Sequence, residues 1–143
     1  MTTVLAVDLG SASGRVLAGT LTDGRLDVTD IHRFKHEARR RADGTLTWDV
    51  ATMEAETIIG LKKALEQFPD AKTVSIDTWG VDWAPLDDNG ELVGGVIAYR
   101  DERTSRTLDA FRDRIADREF FDLTGNQPAT INTANQLFAY LQE

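Results

Sequence analysis

The sequence contains no cysteine. Disulfides and thiolate-held zinc are therefore excluded. Histidine is scarce too: His32 and His36 are the only two. They lie four apart in what reads as a strand, so they share a face, and they read as polar surface rather than a two-histidine metal site. No apolar run approaches the roughly 18 residues of a membrane span. No secretory signal follows Met1. The reading is a soluble, cytoplasmic protein with no membrane partner. Basic residues are the minority, with 16 Lys and Arg against 24 Asp and Glu, a net charge of −8. Such a balance repels nucleic acid and anionic lipid. The one dense basic run, Arg39-Arg40-Arg41, is flanked by Glu37 and Asp43 and reads as a solvated turn. What remains is ample for a core: 41% of the 143 residues are hydrophobic, in a length common for one domain.

Apolar patterning divides this core into elements. Thr3–Leu9 is a continuous apolar run ended by Asp8 and Gly10, as in a buried strand. Arg15–Leu21 reads as a second strand. Asp23-Gly24 is a hairpin turn signal, and Asp27–Glu37 follows as a third strand with imperfect alternation. Three antiparallel strands in a row are the simplest arrangement. Leu46 and Trp48 form a short strand, and Asp49 caps a helix over Ala51–Phe68. Its apolar face is expected to be Met53, Ile58, Ile59, Leu61, Leu65 and Phe68. Thr73–Thr78 follows this helix and reads as a central, parallel strand. Trp83–Leu86 and Glu91–Val93 read as two strands around an Asn89-Gly90 turn. Val96–Tyr99 is a short apolar stretch. Helices are expected over Thr104–Ala116, for a turn or two over Asp117–Thr124 up to Gly125, and over Ala134–Glu143, with Asn132 or Thr133 as cap. The last helix ends without a stop signal, so the chain is expected to be a piece of a longer protein.

Between the first two strands runs "VDLGSASGRV". Gly10 and Gly14 allow unusual φ/ψ and close backbone approach. Ser11, Ala12 and Ser13 are small, and consecutive N–H groups in such a turn can form an anion nest. Arg15 offers a charge-assisted contact. Asp8 suits Mg²⁺ held through water. A plain β-turn with two glycines stands beside this phosphate-seat reading. The loop is not a Walker A motif, because Gly-Lys-Ser/Thr is missing. Nor is it a Rossmann fingerprint, because a strand follows it.

The motif order makes the comparison specific. "VDLGSASGRV", "IHRF", "WDV", "IDTWGVDWAPLDDNG", "AYRDERT" and "TGNQPATINTANQL" together resemble the FGGY sugar kinases of the actin-like ATPase superfamily, over essentially the whole chain. The resemblance implies a ribonuclease H-like α/β lobe, with a mixed sheet, antiparallel first three strands and flanking helices. Residues 1–143 would be the N-terminal part of the first kinase domain, with the rest of that lobe and the second lobe absent. The implied cofactors and partners are ATP, Mg²⁺ and a small-molecule sugar. Ser11, Ala12, Ser13, Gly14 and Arg15 would contact ATP phosphates, and Asp8 would position Mg²⁺ through water. Here "GSAS" stands where the family commonly has "GASS", with loop length kept.

In the same likeness Gly80 would touch the sugar, with Trp79 and Trp83 as flat walls and Asp82 as a hydroxyl partner. Core packing for the tryptophans and a structural cap for Asp82 are the competing readings. Asp101 and Arg103 would form an ion pair framing the sugar cleft, or an exposed pair of little worth. Asn132, Thr133 and Gln136 read as structural residues of a helix start. The general base would be an aspartate beyond Glu143, so the chain is expected to be inactive alone. A non-catalytic nucleotide-binding module of the same superfamily is the alternative in another class.

Overall fold

The computed structural model describes residues 1–142. In chain order its elements are β1 Thr2–Leu9, β2 Ser13–Thr22, β3 Arg25–Lys35, β4 Arg39–Arg40, β5 Leu46–Trp48, α1 Val50–Gln67, β6 Val74–Thr78, β7 Val96–Ile97, α2 Arg103–Arg112, α3 Asp117–Thr124 and α4 Thr133–Tyr140. The chain forms two compact units: Met1–Ala38 with Asp49–Gly80, and Arg39–Trp48 with the chain from Val81 onward. No helix of the described residues is long and apolar enough to cross a membrane.

The first unit is a four-stranded sheet in the order β3-β2-β1-β6. Strands β1, β2 and β3 are antiparallel neighbours, and β6 runs parallel to β1 as expected but lies at the edge of the sheet rather than at its centre. The β2–β3 connection is a tight turn with Asp23 and Gly24 both at positive φ, the geometry that suits the twist of a hairpin. The imperfect alternation of the third strand has a physical cause. Pairing with β2 shifts between Val16 and Leu17, which leaves Ile31 as an extra residue in β3. This bulge resets which residues face the core. Past it, His32, Phe34 and His36 line one face, and both Phe34 and His36 are buried.

Helix α1 starts as its sequence predicts. Asp49 accepts the Thr52 N–H at 3.1 Å and the Thr52 hydroxyl at 2.8 Å, which satisfies helix-end donors. Its inner face differs from expectation. The buried residues are Met53, Thr57, Gly60 and Ala64, while Ile58, Ile59 and Leu65 are more than 40% exposed. Close approach to the sheet is the reason. A Cβ at Gly60 would lie 2.4 Å from Val16 Cγ2 and 3.1 Å from His32 Cβ, so the contact stripe must be small. Leu5, Val7, Val16, Ala18 and Ala64 form the core beneath it.

The second unit holds a three-stranded sheet in the order β4-β5-β7. Here two readings are corrected. The arginine run is exposed, as expected, but it starts in a strand rather than a turn. Arg39 and Arg40 pair with Thr47 and Leu46, Arg40 bonds Gly44 O at 2.9 Å and Glu102 at 3.0 Å, and Arg41 donates to Gly94 O at 2.7 Å. Residues 83–93 do not form two strands; a single bridge joins Leu86 and Leu92. Pro85 lacks a ladder donor, and the Asp87 carboxylate takes the Asn89 and Glu91 N–H groups, so a side chain organises the turn. Helix α2 ends at Arg112 rather than Ala116. Gly125, at φ 69°, closes α3. Phe111 packs edge-on against Phe120 and Phe138 at 6.0 and 5.5 Å between ring centres. The last residue of the expected C-terminal helix, Glu143, lies outside the described residues.

Candidate functional site

The hairpin between β1 and β2 closes more tightly than its length suggests. Leu9 pairs with Gly14, and the Gly10 N–H donates to Ser13 O at 2.9 Å. Only Ser11 and Ala12 remain at the tip, and both are exposed. The His36 N–H reaches Ala12 O at 3.3 Å from the side. Gly10 and Gly14 do not take positive φ, so unusual backbone geometry is not their role. Gly14 is glycine because the Phe34 ring lies on it: an added Cβ would sit 2.2 Å from Phe34 Cζ. At Gly10 it would meet Ser13 O at 3.3 Å.

Asp8 and Arg15 face each other across the β1–β2 ladder. Arg15 Nε donates to Asp8 Oδ2 at 2.6 Å, and the two side chains are 37–42% exposed. A pair this open to water is worth under about 1 kcal/mol, so either partner exchanges readily for a ligand. Asp77 stands in register with Asp8 on the parallel neighbour β6, and paired residues of a parallel ladder share a face. This second carboxylate beside Asp8 was missed from sequence. The register of "SIDT" against "AVDL" is the signal that places it there.

The next motif straddles the boundary between the units. Trp79 and Gly80 close the first one. Trp79 stacks on the His36 ring, with ring centres 5.6 Å apart and 25° between planes. A Cβ at Gly80 would meet nothing within 4 Å, and its φ is not positive; neither packing nor backbone geometry demands glycine there. Val81, the first residue of the second unit, has φ 74°, a strained conformation for a β-branched residue. Its carbonyl accepts from Gln136 Nε2 at 2.9 Å, and the same amide group donates to Ile131 O at 2.8 Å. Gln136 is fully buried.

In the second unit Asp82 accepts the Trp48 indole N–H and the Tyr99 N–H, each at 2.7 Å. Trp83 lies edge-on to Tyr140 at 5.3 Å. Asp101 is buried and accepts the Leu46 and Arg103 N–H groups at 2.7 and 2.9 Å. Arg103 is 3% exposed, so an exposed pair is not what this motif makes. Asn132 does not cap α4 with its side chain; its Oδ1 accepts the Ala129 N–H at 2.6 Å.

The histidines are not polar surface either. His32 Nε2 lies 2.6 Å from Glu56 Oε2, and Lys63 Nζ lies 3.2 Å from its Nδ1. Phe34 stands between the two imidazoles, 6.0 Å from each, and no group of three metal-ligating side chains occurs among the described residues.

The chain belongs to the FGGY family of carbohydrate kinases: the model of that family's N-terminal domain matches residues 3–142. Among curated proteins it is similar to the rhamnulokinase of Bacillus subtilis, 38% identical over 133 residues, 93% of this chain and 27% of that protein. The rhamnulokinase of Enterococcus faecalis is 37% identical over 142 residues, 99% of this chain and 28% of that protein. The chain thus spans little more than a quarter of these relatives' length. Among solved structures, a gluconate kinase from Lactobacillus acidophilus aligns over 99% of this chain and 28% of its own, with TM-score 0.79 at 13% identity. A xylulose kinase from Bifidobacterium adolescentis aligns over 96% and 29%, with TM-score 0.66 at 15% identity. At such identities the structures establish the fold, which is that of the FGGY sugar kinases.

Proposed function

We propose that residues 1–143 are the N-terminal part of an ATP-dependent sugar kinase that phosphorylates L-rhamnulose at its 1-hydroxyl. The observation that carries this reading is identity of 37–38% to rhamnulokinases across 93–99% of the chain.

The roles follow from the chemistry of each residue. Ser11 and Ala12, exposed at the hairpin tip, are assigned to the ATP phosphates together with Ser13 and Gly14, and Arg15 adds a cation. Asp8 fits Mg²⁺ held through water, being an accessible carboxylate whose present partner is an exchangeable guanidinium. Mg²⁺ would neutralise charge on the transferring phosphoryl group. With Asp8 facing a hydrated metal, Arg15, its present partner, would be available to the phosphates. Gly80 leaves room for the ketose, Trp79 is assigned as a flat wall, and Asp82, which accepts the Trp48 and Tyr99 N–H groups, is assigned a sugar hydroxyl. The base that takes the hydroxyl proton is assigned to an aspartate beyond Glu143.

The test is ADP release from MgATP by the full-length parent over L-rhamnulose, xylulose, fuculose and glycerol, with Arg15→Ala alongside. Preference for L-rhamnulose, lost in the variant, supports the reading. Turnover of another acceptor moves the substrate assignment. No turnover with any acceptor favours a nucleotide-binding module.

A further inference from the structure

We infer that His36 is a positioning residue that ties the hairpin tip to the Trp79-Gly80 segment, so that nucleotide at one is felt by sugar at the other. This rests on the roles proposed above for the hairpin and for Gly80. Four observations carry it. The exposed tip has few restraints, and one of them is the His36 N–H on Ala12 O at 3.3 Å. The ring of the same residue stacks on Trp79 at 5.6 Å, directly before Gly80. Phe34, two residues back and 6.0 Å from the His36 ring, lies against Gly14 at the base of the tip. The row is anchored at its far end, where His32 stands 6.0 Å from Phe34 and is held by Glu56.

His36 is buried. Its backbone and ring cannot move independently within close packing. A displacement of Ala12 when phosphate binds therefore passes to the His36 ring, to Trp79 and to Gly80. Binding coupling of this kind is reciprocal.

The experiment uses the full-length parent labelled with 5-fluorotryptophan and read by ¹⁹F NMR. The Trp79 resonance is identified by its loss in Trp79→Phe. MgADP is expected to shift that resonance in the wild type, to leave it in place in His36→Ala, and to shift it again in His36→Phe, which keeps a flat ring. The wild-type KM for L-rhamnulose should differ by about fivefold between low and saturating MgATP, and the ratio should fall toward one in His36→Ala. If the alanine variant does not fold, His36→Leu, similar in bulk but without a ring, replaces it with the same expectations.

A Trp79 shift as large in the ringless variant as in the wild type overturns the inference, and so does a wild-type Trp79 that ignores MgADP. A His36-dependent shift in a parent that turns over no acceptor upholds the coupling while removing the kinase reading.

Discussion

A methyl group added at Gly14 would lie 2.2 Å from Phe34 Cζ. The ring is buried and cannot retreat, so Gly14→Ala should destabilise the parent by about 1–3 kcal/mol, the usual range for overpacking. Urea unfolding measures this, and adding Phe34→Leu should recover part of the loss; an unchanged midpoint for Gly14→Ala would disprove the packing role. Gly80 is the opposite case, because nothing stands within 4 Å of an added Cβ. Gly80→Ala should leave stability within about 0.5 kcal/mol while raising KM for the ketose about tenfold, or 1.4 kcal/mol of binding. Normal KM in a stable Gly80→Ala protein would remove Gly80 from the sugar site. The glycines were visible in the sequence, but their reasons were not. A string of letters does not reveal that a phenylalanine twenty residues further on covers Gly14.

Among the elements, the first three strands, the long helix and its Asp49 cap were legible, because apolar runs, turn glycines and capping residues are local signals. The bulge at Ile31, the strand made by Arg39 and Arg40 and the small inner face of α1 were not. Each depends on what the segment packs against: the register of β2, the carbonyls and Glu102 that receive the arginines, and Val16 beneath Gly60. The candidate site divides similarly. The motifs were readable in order, whereas the Asp8–Arg15 pairing, Asp77 beside it and His36 against Trp79 arise from strand register and tertiary contact.

The 87–91 turn gives a pH test at this scale. The Glu91 N–H, then the Asn89 N–H, hold the Asp87 carboxyl below its usual 3.8. Its folded value is lowered, so its contribution to the turn is complete above the unfolded value and is lost as pH falls through the folded one. NMR titration of Asp87 should find a midpoint below 3.8, with the Glu91 amide responding in parallel. A midpoint at or above that value would show that the carboxylate does not organise the turn.

At the scale of the whole molecule, the chain by itself leaves the β6 edge of its sheet unpaired among the described residues. Val74 and Ile76, in register with core residues Leu5 and Val7, are 51% and 60% exposed. An apolar edge of this kind associates. The isolated 143 residues should therefore show concentration-dependent sedimentation that Ile76→Lys suppresses; a monomer at all concentrations would refute this. With the base assigned beyond Glu143, the isolated chain should release no ADP in response to L-rhamnulose, whereas turnover at the parent's rate would place the base within these residues.

The two units interleave along the chain, and that sets an order of events during synthesis. The strands and helix of the first unit have all been made once Thr78 has emerged. The second unit opens earlier, with the excursion through β4 and β5, yet β5 finds its other neighbour only in β7 at Val96–Ile97. Domains made first tend to fold first. The 39–48 segment must therefore wait, as a two-stranded ribbon marginal by itself, while the sheet on either side of it in sequence closes. A slow-codon pause placed before residue 96 would lengthen that wait, and one placed after residue 97 would not.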